Sequence, residues 1–281
     1  MQQKTLRCRQ YCLDITKKTH VMGVINITPD SFFDGGQYFS VNNACLRAMN
    51  MQDEGADIID IGGESTRPGS FGVSVEEELR RVIPVVKRLN KRLKVPISVD
   101  TTKFEVAKAA LEQGASIIND VSGLRSDERI ASLCARYNAG LVIMHMKGAP
   151  RTMQKSPAYK NLLLEIRRYL SEGIKIACRN GLKKECLAVD PGIGFGKTLK
   201  HNLKLIKELS FFKRLGFPVL IGLSRKSFIG KALGFDVKNR LIPTVAANAI
   251  AIFNGANIIR VHDVKEAVAA GRMVDAIRKI V

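Results

Sequence analysis

The clearest chemical signal in this 281-residue chain is the segment 187–197, LAVDPGIGFGK. A short apolar run ends at Asp190, and three alternating glycines and Lys197 follow it. Such a segment predicts a buried strand that ends in a carboxylate, then a loop with free backbone amides, then a helix. It is not a P-loop, because Pro191 stands five residues before Gly196, and it is not a dinucleotide fingerprint, because its spacing is G-x-G-x-G.

Polar residues end the other apolar runs of the chain in the same way. A turn or a helix cap explains any one of them, but together they predict an active site at one end of a barrel or sheet. One set suits the N–H edge of a planar heterocycle, with Met144 and Phe195 as apolar contacts to the ring, and a second set suits phosphate or carboxylate. A heterocycle with a phosphorylated leaving group is therefore expected. The first set is Asp100, Asn119 and Asp190, and the second is Thr66, Arg67, Lys226, Arg260 and His262.

Eight runs rich in Val and Ile, mostly without polar alternation, predict parallel strands that are buried on both faces. Amphipathic helical segments separate them. The resulting β-then-α units average about 35 residues, close to the repeat of a (β/α)8 TIM barrel. A doubly wound open sheet is the alternative, although it more often has roughly five or six strands. The predicted strands are 21–26, 57–61, 96–100, 116–119, 141–145, 187–190, 218–222 and 257–262.

Apolar residues at a spacing near 3.6 predict the helices between these strands. One helix is predicted over 79–93, and Pro84 is expected to kink it. Ser40 is expected to cap a helix that runs to about Glu54, because Gly55 follows its end. Further helices are predicted over 160–180, 198–209 and 264–280.

Residues 1–19 precede the first barrel strand as a short N-terminal extension, and residues 20–281 form the barrel. Within the extension, residues 5–13 are expected to form a hairpin that closes the bottom of the barrel. Residues 1–18 contain no apolar core of a signal peptide, and no apolar run reaches the about 18 residues of a membrane span. We therefore expect a cytoplasmic protein.

The chain carries a formal net charge of +19, from 45 basic and 26 acidic residues. Such a charge suits nucleic acid, an acidic membrane surface or a small anionic substrate. The basic residues lie on predicted helix faces without aromatic residues between them, so nucleic-acid binding is not expected as the main function. The six cysteines are scattered without a C-x-x-C pair, which predicts reduced thiols rather than a metal site.

Two segments rich in Gly, Pro and Ser, 28–36 and 65–72, have the composition of active-site lids. Each carries an aromatic residue suited to closing over a substrate and excluding water. Purely structural loops of this composition are equally common, so composition alone leaves both roles open.

Eight segments of the chain, in order, resemble those of dihydropteroate synthase. The match extends from about residue 20 to residue 280 and does not include residues 1–19. The segments are 22–32 (MGVINITPDSF), 60–69 (DIGGESTRPG), 98–101 (SVDT), 119–121 (NDV), 144–146 (MHM), 190–197 (DPGIGFGK), 224–227 (SRKS) and 260–263 (RVHD).

The resemblance implies condensation of 6-hydroxymethyl-7,8-dihydropterin diphosphate with p-aminobenzoate, giving 7,8-dihydropteroate and pyrophosphate. It also implies a homodimer through helices late in the chain, and Mg²⁺ bound by Asn26. Three sets of residues would hold the pterin, the diphosphate and p-aminobenzoate, and sulfonamides would compete for the third set. The pterin set is Asp100, Asn119, Asp190, Lys226, Met144 and Phe195. The diphosphate set is Arg260, His262, Thr66 and Asn26, and Arg260 would also stack on the pterin ring. The p-aminobenzoate set is Phe32, Pro68, Arg67 and Ser224.

The implied mechanism is dissociative and has no covalent enzyme intermediate. Mg²⁺, Arg260 and His262 would stabilise the departing pyrophosphate, and the aniline nitrogen would then attack a cationic methylene. Asp30 would support that cation when the first lid closes. Phe33 stands where the family pattern has a small polar residue, which is expected to alter loop packing or inhibitor response without removing a donor.

Two other functions are weighed against this one. A pterin-binding methyltransferase that serves a corrinoid partner would share the acidic and amide ligands, but it does not need the segments 65–68 and 224–226. A basic binding protein with an inactive barrel would not need polar residues at the strand ends.

Overall fold

The computed structural model describes residues 3–27, 41–65 and 69–280. Within them, eight parallel strands pair in the order β8-β7-β6-β5-β4-β3-β10-β9, and a bridge between Val189 and Val219 joins the two ends of the sheet. The (β/α)8 barrel is thereby confirmed. The barrel strands are β3 (His20–Asn26), β4 (Ile58–Gly62), β5 (Ile97–Asp100), β6 (Ile117–Asp120), β7 (Gly140–Met144), β8 (Leu187–Asp190), β9 (Leu220–Gly222) and β10 (Ile258–Val261).

Side chains inside the barrel follow the two-residue period of the strands. Near the amino ends of the strands lies an apolar interior layer, whereas alternate neighbours such as Val21 and Ile59 belong to the core between strands and helices. Residues two positions beyond the apolar layer face the same way, so they form the next interior layer. The apolar layer contains Met22, Ile58, Ile117, Val142, Ala188, Leu220 and Ile258. The next layer contains Val24, Asp60, Asn119, Met144, Asp190, Gly222 and Arg260.

A hairpin of two antiparallel strands, β1 (Thr5–Cys8) and β2 (Tyr11–Asp14), precedes the barrel. Leu6 and Cys8 are fully buried against the apolar interior layer. The Arg9 amide in the hairpin turn donates to the Asn138 carbonyl at 2.7 Å, just before β7. The hairpin therefore covers the amino ends of the strands, at the end opposite the predicted site.

Nine α-helices occur in the part of the chain that the structure describes, and two of them, α7 and α8, follow β9. None of the described helices is long and apolar enough to cross a membrane. The described residues also form three short 3-10 helices, Lys184–Cys186, Leu209–Leu215 and Lys238–Arg240. The α-helices are α1 (Val41–Asp53), α2 (Val75–Leu89), α3 (Phe104–Glu112), α4 (Arg129–Tyr137), α5 (Leu162–Arg179), α6 (Leu199–Lys207), α7 (Ser227–Leu233), α8 (Leu241–Phe253) and α9 (Val264–Lys279).

Helix α2 begins four residues earlier than the apolar spacing predicts. The Ser74 hydroxyl caps it by accepting from the Glu77 amide at 3.2 Å, and glutamates in the first turn favour the positive end of the helix dipole. The helix continues through Pro84. Helix α1 ends where predicted, and its expected cap, Ser40, lies outside the described residues.

Candidate active site

Three predicted heterocycle-binding residues lie at or near the carboxyl ends of β5, β6 and β8. Asp100 ends β5, Asn119 lies in β6 and Asp190 ends β8, and all three are buried. Asp100 is paired with Asn119 in the strand register, and Met144 at the end of β7 is paired with Asp190. The sheet register thus brings two carboxylates, an amide and an apolar side chain to one end of the barrel.

Arg260 in β10 reaches across the barrel to carboxylates on β4 and β5. Its Nε donates to Asp60 Oδ2 at 2.7 Å, and its Nη2 donates to Asp100 Oδ2 at 2.8 Å. Asp60 is fully buried, and Asn119 Nδ2 also donates to its Oδ2, at 3.4 Å. The guanidinium is therefore the counter-ion of two buried carboxylates, an arrangement in which removal of either partner is costly.

The charged groups at this end of the barrel have shifted pKa values. Burial raises the pKa of Asp100 to about 7, and Arg260 acts in the opposite direction. Burial also raises the pKa of Asp190, while Lys226 lowers it. For Lys226, burial lowers the pKa to about 8, and Asp190 opposes that shift. Clustered shifts of this kind are typical of functional sites, because burial and neighbouring charges are concentrated there.

Lys226 lies against the glycine loop that follows β8. Its Nζ donates to the Ile193 carbonyl at 2.5 Å and stands 4.8 Å from the centre of the Phe195 ring. At the start of the same loop, the Gly192 amide donates to Asp190 Oδ1 at 2.6 Å. The predicted order of strand, carboxylate, glycine loop and helix is therefore present, and the loop carries the aromatic ring to the lysine.

Gly192 is required at its position by close packing. Its φ is +71°, and a Cβ there would lie 1.9 Å from the His145 carbonyl oxygen, closer than any non-bonded contact allows. The first glycine of the loop thus allows the ends of β7 and β8 to approach each other.

His262 and Ser224 form a polar pair beside β10. The Ser224 hydroxyl oxygen lies 3.2 Å from the His262 amide nitrogen and 3.0 Å from His262 Nδ1. Between Ser224 and Lys226, Arg225 has a positive φ of 54° and pairs with Asp263 through Nε and Nη2, at 2.8 Å each. This bidentate ion pair fixes the turn that presents Ser224 and Lys226.

Asn26 ends β3 next to Gly62, where a Cβ would lie 3.6 Å from Asn26 Oδ1. Among the described residues, no group of three His, Cys, Asp or Glu side chains could hold a metal. Mg²⁺ prefers oxygen ligands, keeps several waters and is often shared with substrate phosphates. A single amide oxygen therefore fits Mg²⁺ that arrives with a diphosphate, and it does not form a metal cage of its own.

The remaining predicted site residues belong to the two lid segments. In the second lid, the Gly69 amide donates to the Pro150 carbonyl at 3.2 Å, and the exposed Phe71 ring lies 5.1 Å from the Arg151 guanidinium carbon. The described flank of this lid therefore contacts the loop after β7. The following predicted residues lie outside the described ranges: Asp30, Phe32, Phe33, Thr66, Arg67 and Pro68.

A cavity of about 420 Å³ opens beside Asp100, between the ends of β4 to β7. Its described lining includes Glu78, Val121 and Tyr169, but not Asp190, Lys226 or Arg260. The cavity therefore flanks the charged cluster, because the Arg260 side chain with its two ion pairs occupies the space inside the barrel.

Asp60 is a site residue that was not predicted from the sequence, because the predicted residues were the polar ones near the ends of strands. Asp60 lies within β4, two residues after the interior Ile58. A carboxylate inside an apolar run was the available signal, since its burial requires a charged partner. Lys103 was also missed; its Nζ lies 2.5 Å from Glu78 Oε2 and also pairs with Glu64.

The described cluster can bind a molecule with two different ends. Carboxylate and amide oxygens accept from ring N–H groups, whereas Lys226, Arg260 and His262 suit an anion. Phe195 and Met144 offer apolar surface between them. The structure thus brings the described members of the predicted set to one end of the barrel and adds Asp60 as a partner of Arg260.

Residues 22–262 match the family described as pterin binding enzyme. The dihydropteroate synthase of Escherichia coli strain K12 is 49% identical over 257 residues, which cover 92% of this chain and 91% of that protein.

Solved structures with the same fold agree with this match. Dihydropteroate synthase from Yersinia pestis, in a sulfonamide drug complex, superposes with a TM-score of 0.93 and 43% identity, covering 98% of this chain and 99% of that one. The enzyme from Xanthomonas albilineans, solved with 4-aminobenzoic acid, gives a TM-score of 0.92 and 42% identity over 99% and 100% of the two chains. The same enzyme has also been solved with 7,8-dihydropteroate, with a TM-score of 0.89 and 40% identity over 99% and 100%.

Proposed function

Since this chain belongs to the dihydropteroate synthase family, the transferases that make dihydropteroate for folate, we propose that its barrel mouth joins a pterin diphosphate to p-aminobenzoate. The products are 7,8-dihydropteroate and pyrophosphate. The observation that carries the assignment is the cluster of Asp100, Asn119 and Asp190 opposite Lys226 and Arg260. The Xanthomonas albilineans enzyme, which is similar to this chain along nearly its whole length and was solved with 4-aminobenzoic acid and with 7,8-dihydropteroate, supports it.

The acidic side of the cluster binds the pterin. Asp100, Asn119 and Asp190 accept from its ring N–H and amino groups, and Lys226 donates to a ring acceptor. Met144 and Phe195 pack on the ring faces. Arg260 then stacks on the pterin ring. For this, the guanidinium gives up its contact with Asp100 and contacts the substrate, while its ion pair with Asp60 keeps it in place.

The cationic side binds the diphosphate. His262 lies two residues beyond Arg260 on the same strand end, so the two side chains face the same direction. Thr66 and Asn26 add a hydroxyl and an amide. Asn26 is the protein ligand proposed for Mg²⁺, which when bound neutralises charge that develops on the leaving pyrophosphate.

The reaction is a dissociative substitution at the pterin methylene. The bond from that carbon to the diphosphate oxygen breaks, and Arg260 and His262 stabilise the negative charge on the departing oxygen. The carboxylates of Asp100 and Asp190 favour the positive charge left on the pterin, with Asp30 joining them from the first lid. The aniline nitrogen then forms the new bond and releases its proton to solvent.

The p-aminobenzoate pocket is proposed from Ser224, Phe32, Arg67 and Pro68. Ser224 is buried and hydrogen-bonded to His262, so it lies beside the diphosphate groups. Arg67 would pair with the carboxylate of p-aminobenzoate. A sulfonamide has the same aniline group and an anionic end, so we expect it to compete at this pocket.

Pyrophosphate release with both substrates tests the function. We expect release that requires p-aminobenzoate and falls strongly when Mg²⁺ is removed with a chelator. Incubation with pterin diphosphate alone should give no covalent protein adduct by intact-mass analysis, and such an adduct would overturn the dissociative mechanism. Absence of pyrophosphate, together with methyl transfer to a corrinoid protein, would favour the methyltransferase instead.

We also propose a homodimer that buries a face of α8 and α9. These helices pack against each other and leave Ile242, Phe253 and Met273 exposed by 80%, 63% and 63%. Exposed apolar groups at this density are typical of protein interfaces. Light scattering should give twice the chain mass, and Phe253→Glu should shift it to the monomer, whereas Leu164→Glu on α5 should not.

Finally, we propose that the enzyme works in the reducing cytoplasm. All six cysteines are free, and burial raises the pKa of Cys8 to about 12. Thiols of this kind pack as small apolar groups and are unreactive. Thiol titration of unfolded protein purified from cytoplasm should therefore give six free groups per chain; fewer would indicate disulfides.

A further inference from the structure

The structure contains a buried pair of bases that the proposed mechanism does not use. Lys197, at the end of the glycine loop, is 2% exposed, and His145, directly after β7, is 4% exposed. Lys197 Nζ lies 2.9 Å from His145 Nδ1 and donates to the Phe195 carbonyl at 2.9 Å. A lysine is rarely buried this deeply unless its ammonium group has a specific task.

The two bases must divide the roles of donor and acceptor. Burial and the neighbouring Lys197 lower the pKa of His145 to about 2, so its imidazole is neutral. Burial also lowers the pKa of Lys197 well below its usual value. A neutral imidazole with the proton on Nε2 has a free acceptor at Nδ1. Lys197 therefore donates to both partners through Nζ, and His145 fixes the direction of that Nζ group.

Lys197 belongs to a set of donors that fix the glycine loop. Four successive carbonyls of the loop, from residue 193 to residue 196, each accept from a different side chain. Because such a loop has no regular backbone pairing, these bonds determine where its side chains lie. The pairs are Lys226 with Ile193, Gln154 with Gly194, Lys197 with Phe195, and Tyr159 with Gly196.

The Phe195 bond is the one nearest the chemistry. The Phe195 ring is the aromatic group beside Lys226 Nζ, at 4.8 Å from its centre, and it packs on the pterin in the proposed function. Its backbone amide also donates to the Gly192 carbonyl at 3.2 Å. Lys197 thus holds the peptide that sets the direction of this ring, although Lys197 itself does not reach the substrate.

We propose that Lys197 and His145 act as one positioning pair, which holds the Phe195 ring against the pterin. This proposal rests on the proposed function, because it explains how the ring that packs on the pterin is held in place. We assign both as positioning residues, because the hydrogen bonds of Lys197 Nζ go to His145 and to the Phe195 carbonyl.

The test is a double-mutant cycle between Lys197→Met and Phe195→Ala, with KM measured for each substrate. Lys197→Met keeps the stem of the side chain and removes both hydrogen bonds. We expect it to raise the KM for pterin diphosphate about tenfold while leaving the KM for p-aminobenzoate unchanged. In the Phe195→Ala background, the same change should add less than about twofold, since the ring that it positions is gone.

A purely structural role would give a different result. An equal rise of both KM values, or a full tenfold effect of Lys197→Met in the Phe195→Ala background, would overturn the proposal. So would an unchanged KM for the pterin. Lys200→Met, an exposed lysine three residues away, is the matched control and should have no effect.

His145→Phe provides the second variant, because it keeps an aromatic ring and removes the Nδ1 acceptor together with the Nε2 N–H. It should reproduce the selective rise in pterin KM if Lys197→Met does not fold, and failure of both variants to fold would overturn a positioning role. The wild type is measured in parallel. No pyrophosphate from the wild type refutes the proposed function, whereas normal wild-type turnover with an unaffected variant refutes only the pair.

Discussion

Asp60 and Arg260, 200 positions apart in the chain, form the innermost ion pair of the site: Arg260 Nε donates to Asp60 Oδ2 at 2.7 Å, and its Nη2 lies 2.6 Å from the same oxygen. Asp60 is fully buried, and its other oxygen, Oδ1, has no hydrogen-bond partner among the described residues. Asp100 is the second carboxylate of this arginine, but it lies nearer the strand end. Arg260 therefore joins a fully buried carboxylate within β4 to a second carboxylate at the end of β5.

Asp60→Asn should lower kcat/KM for pterin diphosphate about 30-fold, ~2 kcal/mol, because it leaves Arg260 with Asp100 alone. Steady-state kinetics measure the effect. Asp57→Asn is the matched control, since Asp57 accepts from the Val21 amide near the opposite end of the barrel. The control is expected to lower stability only, and equal kinetic losses in both variants would contradict the role of Asp60.

Lys226→Ala should lose both the pterin contact and turnover, costing about 3 kcal/mol or more in transition-state stabilisation, ~150-fold in kcat/KM. The same change at Lys231, exposed on α7, should leave the kinetics unchanged. Undiminished product formation by Lys226→Ala would remove this residue from the site.

The pH profile of kcat/KM for the pterin should be bell-shaped. Asp100, with a pKa of about 7, accepts as a carboxylate, so activity rises as pH passes upward through that value. Lys226, with a pKa of about 8, loses its charge above that value, so activity falls there. Because kcat/KM reports the free enzyme, these are the pKa values that it should show.

Two variants assign the limbs of that profile. Lys226→Arg should move the basic limb to higher pH, since arginine stays charged, and Asp100→Asn should remove the acid limb at a lower overall rate. A basic limb that stays at the same pH in Lys226→Arg would show that another group produces it.

Leu6→Ala should destabilise the fold by about 3 kcal/mol without changing KM for either substrate. Leu6 is 1% exposed in the hairpin that closes the end opposite the site. Denaturant unfolding measures the loss, and Leu164→Ala, at a half-exposed position on α5, should stay within about 0.5 kcal/mol of the wild type. A selective change in pterin KM would mean that the hairpin influences the site.

The barrel was predictable from the sequence because its strands are mostly apolar runs, and most have a polar residue at or just after the carboxyl end. The eight predicted strands lie within two residues of the observed ones. Asp100, Asn119 and Asp190 were predictable for the same reason, since the carboxyl ends of barrel strands share one face.

What the sequence did not reveal depends mostly on contacts between distant residues and, at one helix start, on a local cap. Asp60 lies within an apolar run, and only the interior layering of the barrel shows that it faces Arg260. The start of α2 was missed because the Ser74 cap, and not the apolar spacing, sets it. Nothing in the spacing of His145 and Lys197 indicates that they meet.

The layered interior implies that the strands cannot tolerate a shift in length. Deleting one residue from β5 between Ile97 and Asp100 would turn the carboxylate toward the helices and the neighbouring apolar side chain toward the substrate. Inserting or deleting two residues would leave the Asp100 side chain pointing into the barrel, but it would move the carboxylate by about 6.6 Å along the strand. Evolution of such a barrel is therefore confined to substitution within the strands, while insertion and deletion are left to the loops.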